Sequence, residues 1–152
     1  MTYKTPILRF KEFNTSWKSY FIFEICEVNG DASKLPNEFI YVDLESVEKG
    51  ILNKEVKVRK SEAPSSAQRV LKEGDLLFQM VRPYQRNNYF HKKSGNYVAS
   101  TGYAQVRSKS NSFLYQYFSL NKFNEEVMKR STGTSYPAIS SKEFSQIKIF
   151  VP

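Results

Sequence analysis

Up to about residue 107 the apolar residues fall in short runs separated by turn-forming clusters; from residue 113 they recur at steps of three and four. Short runs bounded by Gly, Pro, Asn, Asp and Ser predict strands, and three-to-four spacing predicts helices. The clearest run is Leu76-Leu77-Phe78-Gln79-Met80-Val81, too short for an ordinary helix and matched to a mostly buried strand. It follows the turn Lys72-Glu73-Gly74-Asp75, where glycine supplies a positive φ, and it breaks at Arg82-Pro83. Residues 39–42 predict another strand. Residues 43–50 predict a single helical turn capped by Asp43 and stopped by Gly50. Residues 51–59 predict a strand with Val56 and Val58 on one face and Lys57 and Arg59 on the other. Residues 20–28 fit either a buried strand or a short helix running into a strand, and residues 31–38 and 60–68 read as loops.

Beyond the central run, residues 97–100 and 102–107 predict strands interrupted by a bulge or kink at Thr101-Gly102. Residues 112–131 predict two helices, or one broken near Asn121. Ser140 and Glu143 have capping-box spacing for a short helix, and residues 147–151 form a closing strand. The resulting fold class is α+β: a curved, mostly antiparallel sheet from residues 17–107 and 147–151, with a small helical layer from the C-terminal third packed on one side.

A chain of 152 residues, 40% hydrophobic, can bury the core of one domain. Twelve Phe and ten Tyr reinforce the leaning towards strands, and the single tryptophan, Trp17, reads as a core or lid residue. One cysteine, Cys26, cannot form an intrachain disulfide, lies in no Cys/His metal spacing, and reads as a small buried apolar residue. No window approaches the length of a membrane span, and the first residues lack the apolar core of a signal peptide; the expected compartment is a reducing cytoplasm.

Charge changes the picture. Residues 1–58 hold 8 Lys/Arg against 9 Asp/Glu, residues 110–152 hold 5 against 3, and residues 59–109 hold 10 against 3. Nearly all of the formal +8 therefore sits in the middle third, as a face suited to polyanions or simply as a solvated basic surface. The strand at 76–81 delivers a loop rich in cationic, amide and aromatic side chains to one place. Arg82, Tyr84, Gln85, Arg86, Asn87 and Asn88 are the candidate base-reading residues, since Arg pairs with guanine and Asn or Gln with adenine. Lys60, Arg69, His91, Lys92, Lys93, Thr134, Ser135 and Tyr136 are candidates for phosphate or groove-edge contacts. Pro83 would stiffen the loop and lower its ordering cost. The loop 133–137 offers hydroxyls and backbone N–H groups to phosphates, or is only a helix cap followed by a turn. Dinucleotide, nucleotide-triphosphate and serine-hydrolase motifs are missing, His91 is the only histidine, and Asp75 reads as a turn residue bonding nearby backbone. An RNA- or single-strand-binding domain, a hydrolase with carboxylates converging in space, and a protein-interaction module using the aromatic surface stay open on these residues alone.

Several segments in order carry a resemblance. They are Pro6-Ile7-Leu8-Arg9-Phe10 with Trp17; Phe39-Ile40-Tyr41-Val42-Asp43-Leu44-Glu45 with Gly50-Ile51; and Gly74-Asp75-Leu76-Leu77-Phe78 with Val81-Arg82-Pro83. Then come Ala99-Ser100-Thr101-Gly102-Tyr103, the aromatic stretch 113–120, and Gly133-Thr134-Ser135-Tyr136-Pro137 with the closing 147–152. Together they resemble the target recognition domain of type I restriction–modification specificity (S) subunits, over nearly the whole chain. The resemblance implies a DNA-reading module without catalysis, metal or cofactor of its own, occupying residues 1–152. Its partners would be double-stranded DNA, the methyltransferase (M) and restriction (R) subunits, and a second recognition domain reading the other half of a bipartite target. S-adenosylmethionine and ATP would bind the partner subunits. Pro152 falls about where a spacer helix would begin, so the spacer helices are expected to be absent from this chain.

Overall fold

The structure is a computed structural model that describes residues 5–31 and 33–152. In chain order the elements are β1 (Lys18–Phe21), α1 (Ile22–Ile25), β2 (Glu27–Val28), β3 (Glu38–Val42), β4 (Val47–Glu48), β5 (Ile51–Leu52), β6 (Val56–Arg59) and β7 (Ala67–Val70). They continue with β8 (Leu76–Gln79), β9 (Tyr89–Phe90), β10 (Tyr97–Ser100), β11 (Tyr103–Arg107), α2 (Asn111–Tyr117), α3 (Asn121–Arg130), α4 (Ser141–Ser145) and β12 (Lys148–Val151). The α+β class with mostly antiparallel strands holds. The strands are divided, however, between two four-stranded sheets, ordered β2-β11-β8-β9 and β6-β3-β10-β7, plus the ladders β1-β12 and β4-β5. Only the β3–β10 pairing is parallel among the described residues.

Thr101-Gly102 is the point where the chain changes sheet. Ala99 pairs with Arg69 in one, and Tyr103 pairs with Gln79 in the other. What the sequence suggests as a bulge is thus a tight crossover. Residues 20–28 combine both sequence readings: β1, one helical turn and β2. Glu24 Oε2 accepts the Phe21 N–H at 2.7 Å and closes that turn.

Residues 43–50 do not form the expected helical turn. The Asp43 carboxylate accepts from the Glu45 N–H (3.1 Å) and the Ser46 hydroxyl (2.7 Å), which fixes a turn that then enters a hairpin. Lys49 and Gly50 carry φ of 50° and 80°, the paired positive values that suit a two-residue hairpin between β4 and β5. A Cβ at Gly50 would collide with the Tyr115 hydroxyl. The expected 51–59 strand is likewise split into β5 and β6, with Val58 packed towards Phe39 and Val98 and Val56 half exposed.

Strand β8 is buried on both faces, which explains its unbroken apolar run. Leu76 and Phe78 face the helices and join Leu114, Phe118, Phe144 and Ile149 in the largest core. The Phe78 ring stacks on Phe144 at 4.6 Å and meets Phe118 and Phe123 edge-on. Leu77 faces the other sheet, with Val42, Tyr97, Ala99 and Tyr103. The helices break where the sequence predicts, between Tyr117 and Asn121, and the Ser140 hydroxyl caps α4 by accepting the Glu143 N–H at 3.1 Å. Trp17 is half-buried and edge-on to Phe113 at 5.5 Å. Cys26 is buried, and burial pushes its thiol up to about 11. Among the described residues no helix is long and apolar enough to cross a membrane.

Candidate nucleic-acid interface

The loop after β8 is held from below by a buried side chain. Gln79, 1% exposed, donates through Nε2 to the Val81 carbonyl (2.8 Å) and to Gln85 Oε1 (2.9 Å), and its Oε1 accepts the Asn87 N–H (2.9 Å). Its own N–H is accepted by Asn88 Oδ1 at 2.9 Å. Pro83 is buried at the start of a 3₁₀ turn, Pro83–Gln85, flanked by Arg82 and Arg86, both left-handed. Non-glycine residues enter that region at a cost, which is met here by fixed neighbours.

Two further segments join this loop. The Arg82 N–H donates to the Pro137 carbonyl (2.7 Å) and the Ile139 N–H to the Met80 carbonyl (3.0 Å), while Val81 bridges Ala138. The loop 131–138 is thereby fastened alongside the loop 80–88. Asn87 Oδ1 accepts the Lys49 N–H (3.2 Å), which fastens the β4–β5 hairpin as well. The Arg82 guanidinium lies 4.2 Å above the Tyr136 ring, within cation–π range. Tyr136 is 66% exposed and Tyr84 52% exposed; Gln85, Thr134 and Ser135 also face solvent.

The structure separates the remaining candidates. Arg86 is exposed but tied, with Nη1 2.7 Å from Asn121 Oδ1 and 3.4 Å from the Ser119 carbonyl, at the gap between α2 and α3. Asn88 is 2% exposed and serves Gln79 from inside, so it is removed from the base-reading group. His91 is removed from the phosphate group. It is fully buried, lies 4.6 Å from the Tyr97 ring and places Nδ1 3.4 Å from the Tyr89 hydroxyl. Burial holds its imidazole below the ordinary value, favouring the neutral ring. Lys92 lies over the Phe90 ring at 4.8 Å, and Lys93 pairs with Glu55 at 2.8 Å. Lys60 follows β6 and Arg69 sits in β7, opposite edges of one sheet. Three strand spacings, roughly 14 Å, separate those edges. Arg69 is half-buried, its Nε is without a hydrogen-bond partner among the described residues, and burial lowers its pKa.

Sequence reasoning missed two supports. Gln79 had a signal, being the only polar residue in the run 76–81, because a buried amide must find partners. Asp75 bonds the Lys72 N–H (2.8 Å) as turn chemistry predicts, but it is 1% exposed and also grips Arg107 in a fork, Nε and Nη2 each at 2.7 Å. Arg107 reaches on to Asp31 at 2.9 Å. Hydrogen bonds from Ser33, assisted by Arg107, hold the Asp31 carboxyl down at about 2. The Asp75–Arg107 partners lie 32 residues apart in sequence, and their network fixes the root of β8.

Two loops distant in sequence thus form one polar–aromatic edge beside the buried sheets, and the described residues hold no cluster of His, Cys, Asp and Glu that could hold a metal ion. The family model for the type I restriction modification DNA specificity domain matches residues 14–152, and the chain belongs to that family. Two solved structures share the fold. One concerns the complex assembly and conformational transition of the type I R-M system, with a TM-score of 0.75; the other is the HsdS subunit from Thermoanaerobacter tengcongensis, with a TM-score of 0.73. Each is 24% identical and matches 90% of this chain and 38% of its own, so the chain spans well under half the length of those relatives. No curated protein matches.

Proposed function

We propose that the chain reads a short sequence in double-stranded DNA, as one half of a bipartite target, through the joined loops 82–86 and 132–136. The observation that carries this reading is the fastening of those loops into one edge. Arg82 is stacked on Tyr136, and Tyr84, Gln85, Thr134 and Ser135 are exposed beside it. A rigid edge loses little entropy on binding, and hydroxyl, amide and guanidinium groups are those that contact phosphates and base edges. The basic surplus of residues 59–109 supplies the long-range attraction. A single-strand platform is less well supported, because Tyr89, Tyr97 and Tyr103 on the sheets are buried, and of the two exposed rings at the edge, Tyr84 and Tyr136, the second is stacked on by Arg82.

In this reading the M and R subunits of a type I system are the protein partners. S-adenosylmethionine and ATP act there, and Lys60, Arg69, Lys92 and Lys93 contribute through charge rather than base contact. The test is selection from random duplex DNA at two salt concentrations with single-stranded competitor. Enrichment of one short motif that survives the competitor supports the reading; salt-sensitive retention without a motif, or preference for single strands, refutes it.

A further inference from the structure

The orientation of the Gln79 amide is fixed by its backbone partners. The Asn87 N–H can only donate, so the atom 2.9 Å from it is the oxygen; the Val81 carbonyl can only accept, so the atom 2.8 Å from it is the nitrogen. That nitrogen also lies 2.9 Å from the Gln85 side chain, which must therefore present its own oxygen inward. Gln85 then turns its NH₂ outward. Gln85 is exposed, and no protein group pairs with that NH₂ among the described residues. A free glutamine can rotate its amide by half a turn; here the rotation would set one NH₂ against another. The backbone is held as well, by buried Pro83 and by the hydrogen bond from the Gln85 N–H to the Arg82 carbonyl at 3.0 Å.

We infer that Gln79 sets Gln85 as the reader of an adenine in the major groove. The inference rests on the duplex reading proposed above and specifies one position of the target. Gln85 offers an outward donor and the second lone pair of its carbonyl, the pair of groups that matches N7 and the N6 amino group of adenine. Gln79 is a positioning residue: buried beneath the edge, it removes the rotational freedom that would let Gln85 accept other bases.

The test is the same duplex selection on the whole chain, wild type against Gln85→Glu and Gln79→Glu. In Gln85→Glu the new carboxylate can still accept from the Gln79 amide but presents an acceptor outward. One A·T pair of the wild-type motif should lose its preference by about tenfold or more, with C·G gaining at that position, because cytosine offers the N4 donor. Ratios of motif to scrambled duplex cancel the added negative charge. Gln79→Glu puts an acceptor where Gln79 Nε2 donates, so the Gln85 amide turns its NH₂ inward and its oxygen outward, and the A·T preference should fall at that position alone. Since Gln79 is buried, that variant is scored only if its melting curve stays cooperative, and the exposed Gln85 variant carries the test otherwise. A wild-type motif that persists unchanged in Gln85→Glu overturns the inference while leaving the duplex reading intact. A wild type that enriches no motif overturns the duplex reading, and the inference with it.

Discussion

Replacing Asp75 by asparagine keeps the shape of the side chain and removes its charge, so the loss can be worked out atom by atom. Oδ2 accepts from the Lys72 N–H (2.8 Å), Gln105 Nε2 (2.9 Å) and Arg107 Nη2 (2.7 Å), while Oδ1 accepts from Arg107 Nε (2.7 Å). An NH₂ group at the Oδ2 site would face three donors. At the Oδ1 site it faces one, and that orientation loses a single charge-assisted bond, about 1.5–3 kcal/mol. The guanidinium also loses its nearest countercharge, and breaking a buried pair costs roughly 3–5 kcal/mol. Arg107 is 28% exposed and keeps Asp31, which places the expected loss near the low end, about 3 kcal/mol. At roughly 2–4 °C per kcal/mol for a domain of this size, Tm should fall by about 6–12 °C. Urea unfolding of Asp75→Asn, Arg107→Met and the double variant measures the coupling. A loss below about 1 kcal/mol, or a double variant equal to the sum of the singles, would refute the view that this network anchors the root of β8.

Three other outcomes follow from the same geometry. Arg82→Gly relieves the left-handed backbone and Arg82→Ala does not, so the glycine variant should be the more stable by about 1 kcal/mol while both lose duplex affinity; chemical denaturation gives the order, and alanine ahead of glycine would contradict the strain. Tyr136→Ala removes the ring beneath the Arg82 guanidinium from an exposed position, so stability should move by less than about 0.5 kcal/mol while duplex binding weakens severalfold in a titration. His91 is held neutral by burial, so its folded pKa lies below the ordinary 6.5; the unfolded chain takes the proton first, and stability is full above pH 6.5 and declines as pH falls towards the folded value. Denaturant midpoints between pH 7.5 and 5 should show that decline in the wild type and lose it in His91→Gln.

Local signals carried much of the fold. Periodicity located β3, β8, α2, α3 and β12, and the Ser140 cap was readable from its spacing to Glu143. The split into two sheets was not readable, because Thr101-Gly102 looks the same whether it bulges a strand or moves the chain between sheets. Asp43 misled for a similar reason: a carboxylate that can cap a helix can equally hold a turn, and the positive φ at Lys49 decided the outcome. In the candidate site, the loop 82–88 and the loop 133–137 were legible as polar, aromatic segments, but their fastening through Pro137 and Met80 is a tertiary fact. Asn88 and His91 share the composition of their exposed neighbours, and only tertiary packing buries them. His91 is enclosed by Tyr89 and Tyr97 and Asn88 is turned to the Gln79 backbone, which no local pattern encodes.

The β1–β12 ladder has a mechanical consequence. Its register pairs Lys18 with Val151 and Phe21 with Lys148, so the segments before residue 18 and after residue 151 depart from the same end. Tension drawing those segments apart would load the hydrogen bonds one at a time, from Lys18–Val151 inward, instead of stretching all of them together as in a sheared pair. Such a ladder opens like a zipper at low force. Its far end meets the Ile22 N–H bonded to the Ile147 carbonyl at 3.1 Å, beside two core residues that are almost completely buried. Pulling on the flanking chain would therefore be absorbed by a few outer bonds before it reached the aromatic core or deformed the edge formed by Arg82 and Tyr136. The ladder acts as a mechanical fuse that leaves the Arg82–Tyr136 edge in shape.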